Sequence, residues 1–242
     1  CHLSVEAIVA TPYASGLAAL VGDEAEMGAA CIDMGGGTTT LSIFAEGKFV
    51  YADVLPIGGN HVTMDLARGL STRREHAERL KVMQGSALPM SDDDRDMVTL
   101  LPMGPDDGEM PLQAPRAVMN KIIRARVEET LEIVRDRLHR SGFGSVVGKR
   151  VVLTGGASQL AGLPEAARRI LARNVRLGRP LGVTGLPEAA KGPAFATIVG
   201  LLIYPQVASF ESSFGGGGGL RFRATGTGGR LQRMSQWFRD SF

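Results

Sequence analysis

Asp33-Met34-Gly35-Gly36-Gly37-Thr38-Thr39 joins two apolar stretches, residues 28–33 (GAACID) and 38–44 (TTTLSIF), both short and the second rich in β-branched residues. The spacing predicts a glycine-rich turn between two β-strands. Glycines there let the backbone approach a ligand with no side chain in the way, and successive N–H groups can point at phosphate oxygens. Asp33, at the end of the first strand, would face a Mg2+ ion or its water shell, brought in by the phosphates. Taken alone, the same residues also read as a β-turn that binds nothing.

Upstream, residues 4–10 read as a strand, and Pro12 opens a short helix through Leu17, Leu20 and Val21. Downstream, Gly47-Lys48 predicts a hairpin turn into a third strand over 49–56. From Ile57 the pattern turns helical: 60–69 and 71–84 read as helices stopped by Gly69 and Gly85. Residues 86–114 are Asp-rich with little periodicity and read as an irregular acidic surface region. Pro115 opens a long helix whose apolar face is Val118, Ile122, Val127, Leu131, Val134 and Leu138. A strand at 150–153 (RVVL), a helix at 163–173, a strand at 175–177 and a helix at 194–204 follow. Strands alternating with helices in this way predict an α/β protein.

Composition narrows the function class. With 44% hydrophobic and 21% charged residues the chain reads as a soluble globular protein, and a formal charge of +2 makes no electrostatic case for nucleic acid. Cys1 and Cys31 cannot form a disulfide framework and fit a reducing compartment. Neither has metal-ligand spacing, and His2, His61, His76 and His139 lie far from them, so no metal site built from side chains is expected. No apolar run reaches about 18 residues, so no spanning helix is expected, and no signal-peptide pattern opens the chain. It begins without a methionine, directly in strand-like sequence, and reads as a piece of a longer protein.

A second bare-backbone turn, Thr154-Gly155-Gly156-Ala157-Ser158, follows the 150–153 strand directly. Backbone without side chains can pack flat against a base or ribose, and Ser158 can cap the helix that follows. Singly, this is an ordinary strand–turn–helix connection. Together the two turns resemble the second phosphate loop and the adenosine loop of the actin/Hsp70/sugar-kinase superfamily. Within it, residues 56–63 (PIGGNHVT), 65–67 (DLA), 77–81 (AERLK), 152–163 (VLTGGASQLAGL) and 196–202 (ATIVGLL) resemble the FtsA family of bacterial actin-like cell-division proteins. The resemblance runs over nearly all of 1–205, weakest at 86–114, and returns at the C-terminal tip.

That resemblance implies an actin-like ATPase fold, represented by its C-terminal half. Subdomain IIA would comprise 1–58 and 146–192, and subdomain IIB the helical insert 59–145. Residues 193–211 would return toward a domain I that is absent with its own phosphate loop, leaving half a cleft. ATP and Mg2+ would be held by Asp33, Gly35, Gly36, Gly37, Thr38 and Thr39 on one side and by Gly155, Gly156, Ala157 and Ser158 on the other. Arg126 and Glu129 match pocket-lining positions, and read equally well as a surface i,i+3 ion pair. The implied role is an adaptor at midcell, on the cytoplasmic face of the inner membrane, with at most weak ATPase activity. It would bind the C-terminal peptide of the tubulin-like protein FtsZ through IIB, self-associate into actin-like filaments and meet other division proteins. Arg116, Lys121 and Arg124 are candidate contacts for that peptide. Three rivals on the same fold are a sugar or acetate kinase or a phosphatase, a chaperone-type ATPase, and a pilus-assembly or cell-shape scaffold.

Residues 212–229 (SSFGGGGGLRFRATGTGG) are glycine-dense and predict a flexible linker. After it, 230–242 form an amphipathic helix pattern: Leu231, Met234, Trp237, Phe238 and Phe242 fall on one stripe, with Arg230, Arg233 and Arg239 off it. Bulky apolar residues opposite arginines fit a helix lying in an anionic lipid headgroup layer, and the family's membrane-targeting tail looks the same. A helix that docks in a partner's groove needs the same stripe. One such tail binds weakly; many tails on one filament bind well, because each after the first is held at high effective concentration. Trp237→Glu is expected to abolish co-sedimentation of the isolated tail with anionic vesicles; unchanged co-sedimentation would rule out the interfacial helix.

Overall fold

In the computed structural model, which describes residues 4–91, 93–101 and 112–214, strands β1 (Ala29–Met34) and β2 (Thr39–Ala45) are buried along their whole length. Burial on both faces explains why they read as continuous apolar runs rather than as alternating ones. Strand β2 turns back antiparallel through Glu46-Gly47 into β3 (Lys48–Leu55). A long excursion then passes through the helices α3 (Gly59–Gly69), α4 (Arg74–Gln84) and α5 (Arg116–Arg140). The chain returns as β6 (Arg150–Thr154), parallel to β1, and continues through α6 (Leu163–Leu171) to β7 (Asn174–Leu177), parallel to β6. Two helices precede the sheet, α1 (Thr11–Ala19) and α2 (Gly22–Met27), and α7 (Ala196–Phe214) follows it. The sheet order is β3-β2-β1-β6-β7.

The period-2 alternation of β1 feeds two cores. Ala30, Ile32 and Met34 join the larger one, with Leu66 of α3, Leu80 of α4, Leu131 of α5 and Ala167 of α6. Ala29 and Cys31 join a smaller one beneath α1 and α2, with Ala19, Phe44 and Val152. The segment Cys1–Pro205 is one compact unit, and a second begins at Gln206.

Several expectations are corrected. Residues 4–10 form no strand; Val5 and Ile8 are exposed, and no strand among the described residues pairs with them. Helix α2 was not expected: it is only six residues long, and Arg176 of β7 holds it from outside through Glu24. The 86–114 region contains a hairpin of β4 (Met97–Leu100) and β5 (Leu112–Pro115). On α5 the buried face opens with Met119 and Ile123, one position on from Val118 and Ile122. Helix α7 runs on to Phe214, past the expected end at Tyr204, so its backbone takes in the first three positions assigned to the linker. The rest of the linker and the amphipathic tail lie outside the described residues.

Glu24 also ties α2 to β7: Arg176 Nε donates to its Oε1 at 2.7 Å and Arg176 Nη2 to its Oε2. Burial opposes ionisation of Glu24, but the hydrogen bonds from Arg176 and from the Val21 N–H outweigh it and hold the pKa below the ordinary range. A depressed carboxylate stabilises the fold above its unfolded pKa of about 4.3, and that stability is lost as pH falls through the lower folded value. Glu24→Gln is expected to cost about 1–2 kcal/mol at neutral pH in denaturant titrations, discounted because Arg176 is partly solvated. The gap to wild type should close as the pH is taken below 4.

Candidate functional site

The register of the β1–β6 ladder sets Asp33 beside Thr154, so both glycine turns leave neighbouring strands at the same end of the sheet. The first is closed by the Gly35 N–H donating to Thr38 O at 2.9 Å. The carbonyls of Gly35 and Gly36 accept from the first-turn amides of α3, Gly59 N at 2.9 Å and Asn60 N at 2.8 Å. In a trans peptide the C=O and N–H point in opposite directions, so the N–H groups of Gly36 and Gly37 are aimed away from α3. A Cβ on Gly58 would come within 2.6 Å of the Gly35 and Gly36 carbonyl oxygens, so this contact needs glycine. The second turn starts at Gly155, whose φ of 85° is in the left-handed region, and continues as a 3-10 turn, Gly156–Gln159.

Two adjoining clefts open between the turns, and Gly36 and Gly156 line both. The smaller, about 330 Å³, adds Asp33, Gly35, Thr38, Thr40, Gly155 and Thr197. The larger, about 410 Å³, is walled by Met34, Val62, Val127, Leu160 and Leu163 and carries Glu78, Lys81 and Ala157. One end is thus bare backbone, hydroxyls and a carboxylate; the other is apolar with one ion pair. Both volumes are in the range of small-ligand sites, roughly 300–1,000 Å³.

Residues 30–200 match the family described as Cell division protein FtsA. The chain belongs to the FtsA family. It is 67% identical over 241 residues to the cell division protein FtsA of Rhizobium meliloti (strain 1021), covering all of this chain and 54% of that protein. Against the FtsA of Escherichia coli (strain K12) the identity is 32% over 250 residues, with all of this chain and 58% of that protein covered. This FtsA-family chain therefore spans about half the length of the curated relatives it matches. Among solved structures it is similar to MreB5 of Spiroplasma citri bound to ADP, with a TM-score of 0.64, 17% identity, and 84% of this chain and 60% of that one covered. The fold is that of the actin-like ATPases.

Of the residues singled out in the sequence, Asp33, Gly35, Gly36, Thr38, Gly155, Gly156 and Ala157 line the clefts of this FtsA-family chain. The others have different tasks. Thr39 is buried and donates its hydroxyl to Ile57 O at 2.8 Å. Ser158 caps no helix; its hydroxyl donates to Gly155 O at 2.7 Å and closes the second turn from inside. Gly37 is not among the lining residues of either cleft. Arg126 and Glu129 stand apart from both: Arg126 bonds Asp65 of α3 and Glu129, each at 2.6 Å, which is the ion-pair alternative. From the same helix Thr130, one position on, reaches the larger cleft instead.

Glu78 and Lys81 were visible only as part of the AERLK segment. Ala77 and Leu80 of α4 fill the core, which turns the i,i+3 pair Glu78 and Lys81 toward the larger cleft. Lys81 Nζ donates to Glu78 Oε2 at 2.7 Å, Thr63 Oγ1 at 2.9 Å and Gly59 O at 3.1 Å. Burial opposes the charge on Glu78, yet the bonds from Lys81 and Thr63 hold its pKa below the ordinary range. The cleft thus presents a fixed charged pair.

Asp33 suits a hard cation. It is buried, no ion pair joins it among the described residues, and the hydroxyl of Thr197 donates to its Oδ2 at 2.9 Å. Burial pushes its pKa above the ordinary range, against the lowering influence of the Thr197 and Ser15 hydroxyls. A cation at this end would offset that penalty. Among the described residues no three His, Cys, Asp or Glu side chains converge, so the rest of its coordination would be phosphate and water.

A Cβ at Gly155 would run into Asp33 Oδ1 and Met34 O, and the φ there is unfavourable for any L side chain. Gly155→Ala is expected to lower stability by about 3 kcal/mol or more in denaturant titrations.

Proposed function

We propose that the whole protein binds Mg-ATP across these two clefts and serves as a self-associating adaptor that ties the FtsZ ring to the cytoplasmic face of the inner membrane. The observation that carries the nucleotide part is the sharing of Gly36 and Gly156 between a polar, backbone-lined end and an apolar end. Asp33, Gly35, Gly36 and Thr38 would meet the phosphates and the Mg2+ water shell, whose charge the ion neutralises. Gly156, Ala157, Glu78 and Lys81 would meet the nucleoside. FtsA-family membership and the fold shared with ADP-bound MreB5 support the reading.

Residues 1–58 and 146–192 would form the subdomain that carries both glycine turns, and 59–145 the helical one that meets the FtsZ peptide. Of the three candidate contacts on α5, Arg116 is engaged with Asp96, at 2.9 Å, and with Gln84 O, at 3.2 Å. Exposed Lys121 and half-buried Arg124 remain the better candidates. No helix of the described residues is long and apolar enough to cross a membrane, so attachment would run through Leu231, Arg233, Met234, Trp237, Phe238 and Phe242. Other division proteins would join at the filament. The family match favours this role over a pilus or cell-shape scaffold.

In the full-length protein, Asp33→Ala is expected to weaken Mg-ATP binding by roughly tenfold or more, the worth of hydrogen bonds to a charged group. Isothermal titration measures it, and an unaltered affinity would overturn the phosphate-end assignment.

A further inference from the structure

We propose that Thr197, in the first turn of α7, is a positioning residue for Asp33, its hydroxyl holding the carboxylate in the orientation that serves a Mg-nucleotide. The inference rests on the nucleotide reading above. Thr197 Oγ1 donates to Asp33 Oδ2 at 2.9 Å across 164 positions of sequence, and both residues line the smaller cleft. The other carboxylate oxygen, Oδ1, lies against the bare Cα of Gly155. Held on one side by a hydroxyl and on the other by backbone, the carboxylate cannot swing freely.

Thr197 is itself placed by the second glycine turn. The Gly155 N–H donates to Pro193 O at 3.1 Å, and Thr154 Oγ1 is 3.2 Å from the same carbonyl and 3.1 Å from Gly178 O. Pro193 opens the short 3-10 turn, Pro193–Phe195, that leads into α7. The turn, the carboxylate and the first turn of α7 are therefore one hydrogen-bonded unit. Valine keeps the shape and the β-branch of threonine but donates nothing, so Thr197→Val removes the hydrogen bond at nearly constant volume. Loosening Asp33 should weaken only the part of nucleotide binding that depends on the cation.

The test is ATP titration of full-length wild type, T197V and T197S, each in excess Mg2+ and in EDTA. T197V is expected to lose roughly five- to tenfold of the Mg2+-dependent gain in affinity, and T197S to stay within about twofold of wild type. All three should agree in EDTA. An equal Mg2+-dependent gain in wild type and T197V overturns the proposal and leaves the nucleotide reading intact. A loss of the same size with and without Mg2+ makes Thr197 a general packing residue and also overturns it. Absence of ATP binding by wild type overturns the nucleotide reading and this inference together. If T197V fails to fold, T197A carries the same expectations.

Discussion

In the ladder between β1 and β6, Asp33 stands opposite Thr154, so two strands far apart in sequence deliver their C-terminal turns to one end of the sheet. The helical excursion between them must cross and return parallel for this to happen, which requires a connection long enough to hold helices. A register slip of one residue would exchange the two faces of β6, sending Val151 and Leu153 out of the larger core and Val152 out of the smaller. Packing on both faces therefore fixes the register, and the register fixes the cleft. Stability and site geometry rest on the same interaction.

Bare backbone does most of the shaping. Gly35 and Gly36 turn their carbonyls to the N-terminus of α3, and Gly58 is free of a side chain so that this contact can close. Consequently the first-turn amides of α3 are satisfied by protein, and the glycine amides are left to aim elsewhere. At the second turn Gly155 sits against Asp33, so one glycine is needed both for its own φ and for the carboxylate it touches. Side-chain chemistry is sparse by comparison: a carboxylate at one end, and the Lys81 and Glu78 pair at the other.

Much of this was legible in the sequence because it depends on local signals. Both glycine turns announce themselves between apolar runs, and the strands they connect fall within a residue of the predicted ends. What was not legible depends on contacts between distant residues. Residues 4–10 have strand-like composition, but a strand exists only with a partner to pair with. Short α2 is held by Arg176, 152 positions away from Glu24. Arg126 and Glu129 share a helix face, as the spacing implies, but the bond from Arg126 to Asp65 on α3 depends on a contact 61 positions away. Thr197 lies in an apolar helix pattern, and its bond to Asp33 has no local signature at all.

Asp33 shows why a cleft made largely of backbone still needs helices around it. Burying a carboxylate disfavours its charge, and here burial raises the pKa while hydroxyls from two different helices, Ser15 of α1 and Thr197 of α7, pull it back. Neither donor brings a charge of its own. A lysine or arginine in their place would settle the carboxylate permanently as one half of an ion pair, as Arg176 does for Glu24. Neutral donors orient the group and leave its remaining electrostatic demand to whatever enters the cleft, so the same side chain is well placed in the fold and still unsatisfied toward a cation.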